Sequence, residues 1–476
     1  MSTEGVVSWI DRLKPSWTKP TTKPRTDGPA FNAPLVETHA RETRPAKKAV
    51  AAPTFPRFHS TAADQLAGKS ADRFASVRIR LRHAFTPSQP IVDRQMFAGR
   101  TEVLTTLISS IEDQRLHTII YGERGIGKTS LLHVLAQAAR DARYIVAYVS
   151  CSAGSNFDDT FRAAAAEIPL LFHSGFGPTS EQAEQGATLA DILPPGPVSV
   201  RLASDLAAKV VGTRLILVLD EFDRSEDPEF RRNIAELMKK LSDRSARLQL
   251  VIAGIADDVT ELVEHVPSIR RNVFALQVPK MTDAEVRQLV KNGEDASGLT
   301  FDDAATKFIV SVSLGLPYVA SLLSHHAGLA AIDEGRLTVT KADVSVAIAE
   351  ALGELNGRIS KRSQMQIASV VRQGVHKILG ALSGAAQLAG GQFNMDDISA
   401  LYSGADNVAR CKSIVENLAA EGVLIEAIEG DFGRSYRFLE ESVPSYLWLL
   451  AAQSRFFDNQ DQTSIDMLDP QPSLEK

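Results

Sequence analysis

The sequence predicts an α/β protein with a parallel β-sheet core, and three observations indicate this class. A glycine-rich turn follows the apolar run Thr118-Ile119-Ile120 and leads into an alanine-rich helix over residues 131–139. A second apolar run, residues 214–219, ends in the acidic sequence Asp220-Glu221-Phe222-Asp223. A continuous apolar run of this length suits the centre of a parallel sheet covered on both faces. Between residues 103 and 278 strand and helix patterns alternate, as they do in α/β folds.

The spacing of apolar residues predicts the individual helices and strands of the core. Apolar residues recur at helical spacing from Val103 to Ile111, which predicts the first helix of the core. Glycine and proline throughout residues 173–198 predict an exposed loop. In chain order, the other predicted strands and helices of the core are residues 144–149, 157–171, 200–211, 228–242, 248–254, 258–265 and 273–278.

The first 90 residues differ in composition from the rest of the chain. They carry 15 Lys and Arg against 7 Asp and Glu, a net charge of +8, whereas the remainder has a net charge of −14. Nine of the 22 prolines lie before residue 89. We predict a basic, proline-rich, largely disordered arm, because such a segment buries too little apolar surface to offset its ordering entropy. Residues 8–13 could form one amphipathic turn. This turn is interpreted as part of a plain tail, and the alternatives are a docking peptide or an arm that contacts nucleic acid.

Length, cysteines and hydropathy limit the remaining possibilities. A chain of 476 residues is too long for one core and suggests two or three domains. Cys151 and Cys411 are far apart and have no metal-ligand spacing, so we expect reduced thiols and a cytoplasmic protein. No apolar run approaches the roughly 20 residues that a membrane span needs, so we expect no membrane partner. The sequence has no signature of a covalent nucleophile, a metal cluster or a dinucleotide site.

The glycine-rich turn has the spacing G-x-x-x-x-G-K-T of a P-loop. Its glycines let successive backbone N–H groups point at phosphate oxygens. Lys128 would reach the β- and γ-phosphates, Thr129 would offer its hydroxyl to Mg²⁺, and the helix that follows would present its positive N-terminal end. We therefore predict ATP and Mg²⁺ as ligands. The predicted nucleotide-binding residues of this loop are Gly122, Glu123, Arg124, Gly125, Ile126, Gly127, Lys128, Thr129 and Ser130.

The acidic end of the strand at residues 214–219 supplies the second chemical element. Ligands of parallel sheets bind at the carboxyl ends of the strands. There Asp220 would hold Mg²⁺ through water, and Glu221 would orient and deprotonate the attacking water. An acidic cluster after a strand is often a solvated turn, but its position some 90 residues after a P-loop favours the catalytic interpretation.

A pair of arginines precedes the last strand of the core, in the sequence Ser268-Ile269-Arg270-Arg271. Either arginine could enter the nucleotide site of a neighbouring subunit as a catalytic finger. The alternative is that both are surface residues at the start of a strand.

The C-terminal part of the sequence is mostly helical. Residues 378–450 predict three helices and a hairpin, which is a winged-helix pattern. The third helix, about Val408 to Glu421, has balanced charges and so argues against strong DNA affinity, which depends on phosphate neutralisation. Residues 358–377 carry five cationic residues and no acidic residue. This segment is interpreted as a solvated helix face, and the alternative is a contact to a phosphate backbone.

These motifs occur in the order of an AAA+ ATPase module. The chain resembles the AAA+ branch that contains the origin-recognition initiators and the STAND signalling ATPases, over about residues 91–445. By this resemblance, Arg271 or Arg270 is the trans-acting finger, and Asp257 is the candidate first sensor. Pro317 belongs to a Gly-Leu-Pro sequence that is similar to the glycine-x-proline element of STAND proteins. Residues near the adenine would be Phe97, Gly99 and Arg100.

The resemblance also implies domain boundaries. After the arm (1–90), it gives an AAA+ nucleotide-binding core (91–280), a helical lid (281–355), a winged-helix-like domain (356–456) and a polar tail (457–476).

The resemblance implies an ATP-hydrolysing switch that forms a homo-oligomer and binds a protein partner whose identity the sequence does not give. The alternative is a DNA-binding initiator or transposition-type regulator that grips duplex DNA. A non-catalytic ATP-binding scaffold is disfavoured by Glu221.

Overall fold

The structure, a computed structural model, describes residues 73–458 except for 88, 178–180, 182–184, 257–268, 270, 373–375, 390, 402–404 and 431–432. The described residues belong to one compact unit, Phe58–Lys476. The turn predicted at residues 8–13, the helix predicted at 258–265 and the tail from 459 onwards lie outside the described residues. Within the described part, no helix is long and apolar enough to cross a membrane.

The core is a parallel sheet of five strands: β1 (His117–Tyr121), β2 (Ile145–Ser150), β3 (Leu215–Asp220), β4 (Leu248–Gly254) and β5 (Val273–Gln277). Their order in the sheet is β2-β3-β4-β1-β5. Every residue of β3 is buried, as its apolar sequence predicts, and every residue of β4 is buried as well. Because all five run in the same direction, the turns after β1 and β3 lie at one edge of the sheet.

The helices of the core confirm the predicted α/β class. They are α2 (Thr101–Glu112), α3 (Lys128–Asp141), α4 (Phe157–Ala166), α5 (Val200–Ala208) and α6 (Pro228–Asp243). Two predicted helices are shorter than expected: α5 ends at Ala208 and not at residue 211, and α4 ends at Ala166 and not at residue 171. Pro169 follows shortly and disfavours the α conformation of the residue before it, and a 3₁₀ turn, Leu170–Phe172, replaces the last helical turn. The predicted loop contains a second 3₁₀ turn, Leu189–Ile192.

Ordered structure begins before Ile91, where we had expected it to start. Helix α1 (Arg73–Ala84) buries Val77 and Leu81, and Phe85 follows as a fully buried ring. A Cβ added at Gly293 would lie 1.9 Å from the Cζ atom of Phe85, so the ring sits directly on this glycine. The composition of the arm is therefore misleading for residues 73–85, because the apolar surface that orders them belongs to a distant part of the chain.

A helical segment, residues 283–356, follows β5. It contains α7 (Asp283–Ser297), α8 (Asp303–Ser313), α9 (Pro317–Asp333), α10 (Lys341–Asn356) and the two-residue strands β6 (Thr300–Phe301) and β7 (Thr338–Val339). Thr282 begins α7 with a capping box, since its side chain and that of Glu285 each accept the other's backbone N–H. Leu314 and Gly315 both have positive φ and separate α8 from α9.

The C-terminal segment, residues 361–458, consists of α11 (Lys361–Arg372), α12 (His376–Leu388), β8 (Gln392–Phe393), α13 (Met395–Leu401), α14 (Ala405–Glu421), β9 (Ile425–Gly430), β10 (Gly433–Phe438) and α15 (Ser442–Asp458). Its three strands form a small antiparallel sheet of order β8-β10-β9. From α12 to β10 the order is helix, strand, helix, helix, strand, strand, which is compatible with the predicted winged helix. Trp448 Nε1 donates to the carbonyl of Val312 at 2.8 Å and connects this segment to α8.

Candidate nucleotide site

The P-loop connects β1 to α3 and depends on backbone conformations that favour glycine. Gly122, Gly125 and Gly127 have φ of 142°, 75° and 93°, values that side-chain-bearing residues rarely adopt. A Cβ at Gly125 would lie 3.1 Å from Tyr318 Cβ, and one at Gly127 would lie 3.0 Å from Arg100 Nη1. The outer surface of the loop therefore packs against Tyr318 and Arg100, and these contacts restrict its backbone conformation.

Lys128 places its ammonium group inside this loop. Its Nζ donates to the carbonyl oxygens of Gly122 at 2.6 Å and Glu123 at 2.8 Å. Burial lowers the pKa of Lys128 to about 8, although the charges of Asp223 and Asp220 act in the opposite direction. The ammonium is therefore poorly solvated and close to two carboxylates of the β3 turn, an environment that an anionic phosphate would improve.

Asp220, the last residue of β3, is buried and firmly held. Its Oδ2 accepts a hydrogen bond from the hydroxyl of Tyr148 at 2.7 Å, and its Oδ1 accepts one from the N–H of Glu221 at 2.9 Å. The Tyr148 ring stacks on His133 with centroids 4.8 Å apart. Burial and the nearby Asp220 raise the pKa of Tyr148, which keeps its hydroxyl protonated. Sequence analysis missed Tyr148 and His133, since no motif connects them.

Glu221 stands at the same edge in a strained conformation. Its φ of 54° lies in the left-handed region, which is costly for a residue with a side chain and is found most often at functional sites. Its carboxylate accepts a hydrogen bond from Ser150 Oγ at 3.3 Å and forms an ion pair with Arg224 at 3.0 Å. Cys151, next to Ser150, is a free thiol whose pKa burial raises to about 12, so it supplies no thiolate.

The turn after β3 is also fastened to the neighbouring strand. Asp223 Oδ1 accepts the N–H of Ile255, directly after β4, at 2.8 Å. The residue predicted as the first sensor, Asp257, lies outside the described residues, so its role remains a prediction.

Arg100 forms contacts that the sequence did not indicate. The side chain is buried; Nη1 donates to the carbonyl of Ile126, and Nη2 to that of Pro279 at 2.9 Å. Its backbone N–H donates to Glu285 Oε1 at 2.8 Å. Burial lowers the pKa of Arg100 to about 10. Arg100 therefore connects the P-loop to the first turn of α7, while the predicted proximity of Phe97, Gly99 and Arg100 to adenine stays a prediction.

Two further P-loop side chains form ion pairs with other segments. Glu123 pairs with Lys280, just after β5, at 3.3 Å. Arg124 pairs with Glu441, which immediately precedes α15. Near them, Pro317 lies 3.8 Å from the position that a Cβ of Gly127 would occupy. The loop is thus in contact with both the helical and the C-terminal segments.

Arg271 lies at the other edge of the sheet. It is exposed and is followed by Asn272, whose carbonyl accepts the N–H of His117 at the start of β1. The P-loop leaves β1 at its opposite end, about 16 Å away for a strand of this length. Arg271 is therefore far from the P-loop of its own chain, and Arg270 lies outside the described residues.

The residues present fit a nucleotide with a divalent cation. The P-loop backbone depends on glycines at positive φ, and the buried ammonium group of Lys128 lies inside the loop. A buried carboxylate, Asp220, and a hydroxyl in the first turn of α3, Thr129, are oxygen donors of the type that Mg²⁺ prefers. The Oγ of Ser130 accepts the N–H of Ile91 at 3.0 Å, and the contact of Ser130 with the nucleotide stays a prediction.

The parallel sheet, the P-loop and the acidic strand end define a P-loop NTPase of the AAA+ type. The chain belongs to the novel STAND NTPase 1 family, whose model matches residues 84–421. This confirms the resemblance to the branch that contains origin-recognition and STAND ATPases. Comparison with curated protein sequences found no match.

The chain is similar to several solved structures at low sequence identity. Cdc6p from Pyrobaculum aerophilum is 16% identical, with 80% of this chain and 98% of that one covered and a TM-score of 0.43. The Aeropyrum pernix ORC1 protein, solved in complex with DNA, is 17% identical, with coverages of 79% and 98% and a TM-score of 0.40. A Walker-type ATPase of Pyrococcus abyssi is 16% identical, with coverages of 76% and 99% and a TM-score of 0.45. The ligands and partners of this chain are therefore inferred from its own site.

Proposed function

We propose that the protein binds and hydrolyses ATP, and that the bound nucleotide controls its assembly with itself and with a protein partner. The observation that carries this proposal is that the P-loop with Lys128 and the acidic turn after β3 leave the same edge of the parallel sheet. The charges of Asp223 and Asp220 favour the charged form of Lys128 and raise its pKa, against the larger effect of burial.

Hydrolysis would proceed by attack of water on the γ-phosphorus. Glu221 takes the proton from the attacking water as the new P–O bond forms and the bond to the bridging oxygen breaks, giving ADP and phosphate. Lys128 and the P-loop N–H groups stabilise charge on the phosphate oxygens. Thr129 and, through water, Asp220 would hold Mg²⁺, which supplies further positive charge there.

Self-assembly is supported by the position of Arg271. This exposed arginine lies at the sheet edge opposite its own P-loop, so a catalytic role for it requires the site of another subunit. We therefore propose Arg271 as a finger in trans, with Arg270 as the alternative.

A protein partner is favoured over DNA by the charges of the proposed winged helix. In the hairpin, Arg437 pairs with Glu426 at 2.6 Å and Arg434 pairs with Glu429 at 3.2 Å. Helix α14 carries Arg410 and Lys412 against three acidic residues, Asp406, Glu416 and Glu421. Paired cations release few counterions from a phosphate backbone, and this release supplies most of the affinity for DNA.

One feature favours the DNA-binding alternative. Helix α11 exposes Lys361, Arg362 and Arg372 and contains no acidic residue. If these cations contact phosphates, binding of duplex DNA should weaken steeply with salt. Failure to shift duplex DNA in a gel at low salt would remove this alternative.

Two substitutions test the ATPase itself. Lys128→Ala should abolish ATP binding, and Glu221→Gln should retain binding but lower turnover by about 10²- to 10⁴-fold. Glu226→Gln, which removes an exposed carboxylate five residues later, is the matched control and should behave like wild type. Retained ATP binding by Lys128→Ala would refute the site, and unchanged turnover of Glu221→Gln would exclude Glu221 as the base.

The ATPase rate should also be measured against protein concentration, with and without duplex DNA. A specific rate that rises with concentration supports a finger in trans. Stimulation by DNA would favour the regulator alternative, whereas indifference to DNA would favour a switch that acts on a protein partner.

A further inference from the structure

The hydroxyl group of Tyr148 has no part in the hydrolysis described above, although it binds a central residue of the site. Tyr148 lies on β2 opposite Val218 of β3. It donates to Asp220 Oδ2 at 2.7 Å, while Asp220 Oδ1 accepts the N–H of Glu221 at 2.9 Å. Both oxygens of this buried carboxylate are therefore held, and rotation of the carboxylate would break one or both hydrogen bonds.

The ring of Tyr148 is oriented by the helix that follows the P-loop. His133 and Tyr148 stack with an interplanar angle of 5° and centroids 4.8 Å apart. His133 lies four residues after Thr129 on α3, and residues at this spacing occupy the same face of a helix. The stack therefore connects the helix that carries Thr129 with the strand that carries Asp220.

We propose that Tyr148, oriented by His133, positions Asp220 for the Mg²⁺ that accompanies ATP. This inference rests on the proposed function, since it concerns the metal of the same site. Tyr148 and His133 are positioning residues, because they act through Asp220. A carboxylate has about four lone-pair sites, so Asp220 can keep the hydrogen bond from Tyr148 while it accepts another from a metal-bound water. Groups that orient a metal ligand in this way commonly affect metal affinity by about 10- to 100-fold.

The test is a Mg²⁺ titration of nucleotide binding, followed with a fluorescent ATP analogue. Tyr148→Phe removes only the hydroxyl, and the Mg²⁺ concentration at the midpoint should rise about tenfold. Affinity for the nucleotide in excess EDTA should not change, and turnover should recover at high Mg²⁺. His133→Ala, which keeps the hydroxyl but removes the stack, should raise the midpoint by a smaller factor.

Tyr144→Phe is the matched control. It removes a tyrosine hydroxyl just before the other end of β2, where the oxygen accepts a hydrogen bond from Arg214 Nη1 at 3.2 Å. Its Mg²⁺ midpoint should match that of wild type.

The other outcomes would overturn either the positioning role of Tyr148 or the proposed function. An unchanged or lower midpoint in Tyr148→Phe overturns the positioning role, and a lower midpoint would mean that the hydroxyl competes with the metal. If Tyr148→Phe also lowered the affinity for nucleotide in excess EDTA, Tyr148 would have a purely structural role and the positioning role would be overturned. Nucleotide binding by wild type that is independent of Mg²⁺ would overturn it while leaving ATP binding intact. Unaltered ATP binding by Lys128→Ala would instead overturn the proposed function.

Discussion

The guanidinium of Arg124 on the P-loop forms an ion pair with the carboxylate of Glu441, 317 residues later in the chain. The pair connects the nucleotide site to the start of α15. The two side chains are 66% and 49% exposed, so we expect a contribution to the free energy of unfolding of at most about 1 kcal/mol.

Glu441→Gln should therefore change the melting temperature by no more than about 4 °C. Release of a fluorescent nucleotide should become several-fold faster, because the loop loses a restraint. Stopped-flow displacement measures this rate, with Glu416→Gln, an exposed carboxylate on α14, as control. The difference from wild type should shrink in high salt, which screens exposed pairs. Equal release rates at low salt would show that the ion pair does not restrain the loop.

ATP affinity should depend on pH through Lys128. The pKa of this residue is lowered to about 8 by burial, so the free protein loses the ammonium charge as pH rises through that value. Bound phosphates favour the charged form and raise the pKa, so binding above pH 8 takes up a proton. Affinity should then fall by up to about tenfold per pH unit above 8.

Calorimetry in buffers of different ionisation enthalpy measures the proton uptake directly. Lys128→Arg replaces the titrating group with one that stays charged. Even if this variant binds ATP with a different affinity from wild type, that affinity should not show this pH dependence. A flat affinity for wild type between pH 7 and 9.5 would contradict the prediction.

The contact between Gly293 and Phe85 predicts that Gly293→Ala destabilises the protein when the Phe85 ring is present and not when it is removed. Alanine in place of a helical glycine usually stabilises by about 0.5–1 kcal/mol. Here the added Cβ would lie 1.9 Å from the ring, so Gly293→Ala should destabilise by about 1–3 kcal/mol. Phe85→Ala should cost about 3–5 kcal/mol, and in that background Gly293→Ala should become neutral or stabilising.

Urea unfolding of the four proteins in this cycle provides the free energies. An equal effect of Gly293→Ala on the free energy of unfolding in both backgrounds would mean that Phe85 does not pack on Gly293 in solution.

Arg271→Ala should lower turnover by about 10³-fold or more while leaving ATP affinity unchanged. Mixing it with Glu221→Gln, which should still bind ATP, should restore activity, because the second variant supplies the arginine to the intact sites of the first. Arg247→Ala is the control, since this exposed arginine precedes β4 at the same edge of the sheet. Absence of complementation, with both variants folded, would count against a finger in trans at this position.

The chemistry of the site could be predicted from short stretches of sequence. The P-loop, with Lys128 and Thr129, is contiguous, and its glycines are required by local backbone conformation. Asp220 and Glu221 follow a strand whose apolar run is itself evident. The parallel sheet followed from such runs because burial on both faces demands apolar residues throughout.

The residues that surround this site could be identified only from the tertiary structure. Tyr148 meets Asp220 through the neighbouring strand, Arg100 meets Glu285 across 185 residues, and Arg124 meets Glu441 across 317. Helix α1 is ordered because it packs on a helix more than 200 residues away. Motif spacing and local periodicity report only on neighbours in sequence. Contacts between distant residues depend on how the elements pack, and this packing sets the position of Asp220 and the supports of the P-loop.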